Sequence, residues 1–76
     1  MNLEQAKQLR NGQTVYHTVK KNADGTPMRA KVTSVKTWKR STDRVEVGLK
    51  HGLYDYAKYD EHEIQYLTTE FKEVKL

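Results

Sequence analysis

The sequence has no cysteine, one proline, one tryptophan and one phenylalanine in 76 residues. Without cysteine, neither a disulfide framework nor a thiolate zinc site can staple the fold. No apolar run approaches the roughly 20 residues a membrane-spanning helix needs. The opening residues, Met1-Asn2-Leu3-Glu4-Gln5, carry neither the basic stretch nor the apolar run of a secretory signal. Gly-rich phosphate loops, nucleophile elbows and EF-hand spacing are missing too. These absences set aside a multi-domain enzyme, a secreted disulfide scaffold and a helical membrane protein. What they leave is one small domain over residues 1–76, expected to be non-enzymatic and without a cofactor.

What is present is a balance of 36% apolar and 32% charged residues, dominated by Val, Leu and Tyr. A domain of this length buries only about 60% of the surface its unfolded chain exposes, so its core must be compact. Leu3, Ala6 and Leu9 recur at helical spacing. Asn2 stands at the N-cap, Gln5 at the reciprocal capping-box position, and Asn11-Gly12 at the stop, which predicts a short helix over 3–10.

From Gln13 the period changes to two, with Val15, His17 and Val19 on one parity. Asp24-Gly25 is the strongest hairpin signal in the chain, because both residues tolerate positive φ. Met28, Ala30 and Val32 then alternate, but the apolar parity flips at Val35. A bulge or bend near Thr33-Ser34 reconciles the two sets, making one long bent strand through Lys39. A turn is expected at Arg40-Ser41-Thr42-Asp43. Beyond it, Arg44–Lys50 alternates cleanly, placing Val45, Val47 and Leu49 inward. Gly48, on the outward parity, marks either a bend or the close approach of another backbone. A further strand is expected over Leu53–Tyr59, with Tyr54 and Tyr56 on one side and Tyr59 on the other. Asp60 and Glu63 have capping-box spacing before a single helical or 3₁₀ turn. The tail from Thr68 to Leu76 reads as a last strand carrying Phe71, or as a fraying end.

Short strands with turn signals at this spacing indicate a mainly β fold, a small antiparallel barrel. The element order over roughly residues 12–70 resembles the SH3-like small barrels: a long hairpin at Asp24-Gly25, a second at Ser41-Thr42 and a single turn near Asp60–Ile64. The segments Val35-Lys36-Thr37-Trp38-Lys39-Arg40, Val45-Glu46-Val47 and Leu49-Lys50-His51-Gly52-Leu53-Tyr54 also resemble a family of short uncharacterised proteins of bacteriophages and marine metagenomes. That resemblance implies a phage-type accessory protein working in the cytoplasm of a bacterial host. It implies no activity.

The formal charge of +4 is unevenly spread. Residues 17–51 hold nine Lys and Arg against three Asp and Glu, whereas residues 52–76 hold three Lys against six acids. The basic segment is interleaved with aromatics, as in barrels that bind single strands or RNA. The candidate nucleic-acid-binding residues are Arg29, Lys31, Lys36, Trp38, Lys39, Arg40, Arg44, Lys50, Tyr54 and Tyr56. The same cations also suit a solvated face kept for solubility, and Trp38 also suits a core lid or a ring covered by Lys36 or Arg40. A protein partner, or a second copy of the chain, is the alternative occupant of such a surface. No membrane partner is expected.

His17, His51 and His62 stand apart, with no companion at ligand spacing. His62-Glu63-Ile64-Gln65-Tyr66 carries Tyr66 where a zinc-protease helix needs its second histidine, so no metal site is expected. The acidic group Asp55, Asp60, Glu61 and Glu63 fits helix-start capping and a solvated rim.

Overall fold

The computed structural model describes residues 1–71 and Val74. Helix α1 spans Leu3–Lys7, and five strands follow: β1 Thr14–Lys21, β2 Pro27–Trp38, β3 Ser41–His51, β4 Asp55–Asp60 and β5 Leu67–Thr68. A 3₁₀ turn, Ile64–Tyr66, precedes β5. All pairings are antiparallel and form one open sheet in the order β4-β3-β2-β1-β5. The mainly β expectation holds at that level. A ladder closing the sheet into a barrel is not found among the described residues: β5 is two residues long and pairs only with Tyr16 and His17.

The helix begins as expected. The Asn2 side chain accepts from the Gln5 amide at 2.8 Å, and the Gln5 side chain accepts from the Asn2 amide at 2.9 Å. It ends earlier than the spacing predicts, at Lys7, because Gln8 and Leu9 close the last turn with tighter bonds to Gln5 and Ala6. Leu9 nonetheless reaches the core. The first hairpin turns at Asp24-Gly25, where Gly25 has φ +85° and Asp24 Oδ1 accepts from both the amide and the hydroxyl of Thr26.

In β2, Val32 opposes Leu49 while Ser34 opposes Gly48, so Thr33 is one extra residue. This is the bend the parity flip called for. It lets Val32 face the core on one side and Val35 face Val47 on the other. Opposite the bulge, a Cβ on Gly48 would collide with the Ser34 hydroxyl and lie 2.8 Å from Thr33 Oγ1. Gly48 is thus the close-approach glycine, although side chains rather than a second backbone make the approach.

Two boundaries move. β3 starts at Ser41 rather than Arg44, since Trp38 pairs with Ser41 across a turn at Lys39-Arg40, with Thr42–Arg44 as extra residues before Val45. β4 starts at Asp55 rather than Leu53, because Gly52–Tyr54 form the turn and Gly52 takes φ +70°. Asp60 and Glu63 exchange the expected capping bonds. Thr68 ends β5, and Phe71 sets its ring edge-on to Tyr16 at 5.4 Å. The remainder of the expected last strand, at Lys72, Glu73, Lys75 and Leu76, lies outside the described residues.

The core gathers Ala6 and Leu9 from the helix end, Val15, Ala30, Val32, Val45, Val47, Leu49 and Leu67 from the sheet, and Ile64 from the 3₁₀ turn. The other sheet face is the outer face.

Candidate nucleic-acid interface

Strand register decides which predicted residues share a surface. Thr14 opposes Lys31, Lys31 opposes Lys50, and Lys50 opposes Tyr56, giving one row across four strands on the outer face. Tyr16 and Arg29 form the next pair along β1 and β2. On the other side of the bulge lie Lys36 opposite Glu46 and Glu46 opposite Asp60, with Trp38 and Arg44 further on. Gly48 and Ser34 therefore divide the face into two halves.

The halves differ in charge. In the Trp38 half, Arg44 pairs with Glu61 at 3.7 Å and Lys58 with Glu46 at 3.8 Å. The Trp38 ring is half-buried and covered, with the Arg44 guanidinium 4.0 Å and Lys36 Nζ 5.1 Å from its centre. This is the covered-ring arrangement, with Arg44 in the place expected for Arg40. Lys39 and Arg40 sit exposed in the turn beyond. The structure thus splits the ten candidates, leaving Lys36, Trp38, Lys39, Arg40 and Arg44 away from the others.

In the other half, Arg29, Lys31 and Lys50 form no ion pair among the described residues. They line a groove of about 580 Å³ with Thr14, Ala30, Gly52 and Leu53, and among the described residues no carboxylate contributes to its wall. Like charges directly opposite on a sheet repel, so the Lys31–Lys50 pair is destabilising unless an anion lies between them. Lys50 Nζ sits 5.6 Å from the Tyr56 ring centre. Tyr56 is 63% exposed, and Leu53 and Tyr54 in the adjoining turn are 75% and 90% exposed.

The core face holds a cluster that sequence spacing missed. His17, 1% exposed, places Nε2 2.9 Å from Nε2 of His51, and the Tyr59 hydroxyl lies 3.4 Å from His17 Nδ1. Both contacts are satisfied when Tyr59 donates to Nδ1 and His17 Nε2–H donates to His51. Burial, then His51, then Lys20 hold His17 down to about 4. Burial, and Glu63 after it, push the Tyr59 phenol above its ordinary value, which keeps it a donor. A pocket of about 360 Å³ opens beside them, lined by His17, Val19, Lys20, Tyr59, Glu63 and Tyr66. His17 and His51 are therefore not isolated, whereas His62 lies outside this cluster. A signal existed: His17 continues the parity of Val15, and His51 that of Val45, Val47 and Leu49. No group of three or more His, Cys, Asp or Glu suited to a metal occurs among the described residues.

Comparison with protein-family models, curated proteins and solved structures finds no match to this chain.

Proposed function

We propose that the protein is a non-enzymatic binding module that contacts nucleic acid through the Arg29–Lys31–Lys50 half of its outer sheet face. The observation that carries this reading is Lys31 directly across from Lys50, with Arg29 beside them, over a groove to which no acid contributes among the described residues. Phosphates relieve that repulsion, and each neutralised phosphate releases condensed counterions. The sheet order and the long bent β2 support an SH3-like arrangement, and the sequence resemblance a phage-type accessory role.

The test is fluorescence anisotropy with labelled DNA and RNA 20-mers at low salt. Binding is expected for the natural sequence, and Lys31→Glu with Lys50→Glu should weaken it at least a hundredfold. Lys36→Glu with Lys39→Glu should weaken it less than tenfold, because Glu46, Asp60 and Glu61 already stand among the cations of that half. Absence of binding to every probe overturns the reading.

A second reading, a protein-interaction or self-associating unit, is favoured by a separate feature. Val19 and Tyr66, 61% and 51% exposed, flank the pocket beside His17 on the opposite face.

A further inference from the structure

We infer that the groove is built for single-stranded nucleic acid, with phosphates on Arg29, Lys31 and Lys50 and unpaired bases stacked on Tyr56 and Tyr54. This rests on the nucleic-acid reading and narrows it.

Exposed aromatics border the groove. Tyr56 shares a row with Lys31 and Lys50, and Tyr54 lies in the turn that also supplies Gly52 and Leu53 to the groove wall. Leaving Leu53, Tyr54 and Tyr56 in water sacrifices burial that a partner's apolar surface would restore. A duplex hides its base faces inside its own stack and offers these rings only sugar and phosphate. A single strand offers the π-faces themselves; Lys50 Nζ lies over one face of the Tyr56 ring, so a base stacks on the other while Lys50 holds the neighbouring phosphate.

The shape of the groove also suits a single strand. Duplex readers insert a helix or a two-stranded ribbon into the major groove. Here the only α-helix among the described residues is five residues long and contributes Ala6 to the core, and the β1–β2 ribbon turns at Asp24-Gly25, at the other end of β1 from the Thr14–Lys31 row. The cations instead face a concavity lined also by Thr14, Ala30, Gly52 and Leu53, which a flexible chain can enter. The row from Thr14 to Tyr56 crosses three inter-strand gaps, about 14 Å at ordinary strand spacing, a footprint of a few nucleotides. The Trp38 ring takes no part, because Arg44 covers it.

Three phosphate contacts on a single strand give log K against log salt a slope of about −2. The experiment compares a labelled twelve-nucleotide oligothymidine with a twelve-base-pair duplex, using the full chain. The single strand should bind at least tenfold more tightly at equal salt, with that slope. Tyr54→Ala with Tyr56→Ala should lower single-strand affinity by about tenfold or more. The duplex affinity and the slope should stay where they were. Tyr54→Phe with Tyr56→Phe should keep the affinity, which separates stacking from hydroxyl contacts. A Tyr56→Trp variant should show its indole emission quenched by the single strand alone, a readout independent of affinity. Equal binding of the two probes, or indifference to loss of both rings, overturns the single-strand assignment and leaves nucleic-acid binding standing. Binding to neither probe removes both.

Discussion

At the scale of single residues, Gly48 controls more than its size suggests. It sits on the outer face, yet it is buried, because the hydroxyls of Thr33 and Ser34 occupy the space a side chain would take. Gly48→Ala should force both hydroxyls to rotate away and cost about 1–3 kcal/mol, the usual range for overpacking. Ser34→Ala in the same chain removes the closest of the two oxygens and should recover part of that loss. Urea denaturation of the single and double variants checks it; strict additivity would show that the contact is not what limits the site. Trp38 teaches a different lesson at this scale. Its outward parity beside Lys36 is readable from the residues. Its partner Arg44 is not, because the three extra residues before Val45 set where Arg44 lies along β3.

At the scale of elements, β1 and β3 are held together by the His17–His51 contact across 34 residues of sequence. Because the native structure holds His17 down to about 4 while an unfolded chain leaves it near its ordinary 6.5, the unfolded state takes up more protons between those values. The stabilisation is complete above pH 6.5, is lost progressively as pH falls toward 4, and declines no further from this group below that. About 1–2 kcal/mol should disappear between pH 7 and pH 5. Urea midpoints measured across that interval should fall for the natural sequence and flatten in a His17→Gln variant. An identical pH profile in the two would show that His17 is not the group responsible.

The elements differ in how openly the sequence declares them. The capping box at Asn2 and Gln5, the turn at Asp24-Gly25, the alternation around Val47 and the bulge at Thr33 all rest on residues within a few positions of one another. The starts of β3 and β4 shifted because turn geometry at Lys39-Arg40 and Gly52–Tyr54 depends on pairing across the hairpin, which propensity alone does not specify. The histidine contact and the division of the outer face depend on register between three strands. Parity placed the cations on one side, but only the ion pairs of Lys58 with Glu46 and of Arg44 with Glu61 separated the acid-bearing half from the other.

At the scale of the whole molecule, the surplus of +4 becomes a question of faces. Acids from the C-terminal third, Asp60 and Glu61, lie against the Trp38 half, whereas Arg29, Lys31 and Lys50 form no ion pair among the described residues. The opposite face carries the Val19–Tyr66 pocket, so nucleic acid and a protein partner would not compete for one surface. On the second reading the chain dimerises through that pocket, and the contact, being apolar, should persist in light scattering at both 50 mM and 1 M salt. Val19→Glu should return it to a monomer. A monomeric mass at both salt concentrations removes self-association.

The extra residue at Thr33 has a consequence for how this chain tolerates change. Before it, the cations of β2 sit at odd positions, Arg29 and Lys31; after it, Lys36 and Trp38 sit at even ones. The bulge works as a half-period phase shift that keeps both sets on one side while Val32 and Val35 stay on the other. Substitutions along β2 alter one contact each. A one-residue deletion between Val32 and Val35 would instead invert half the strand, bringing either Arg29 and Lys31 or Lys36 against the core. Length, more than residue identity, is the quantity this segment must conserve.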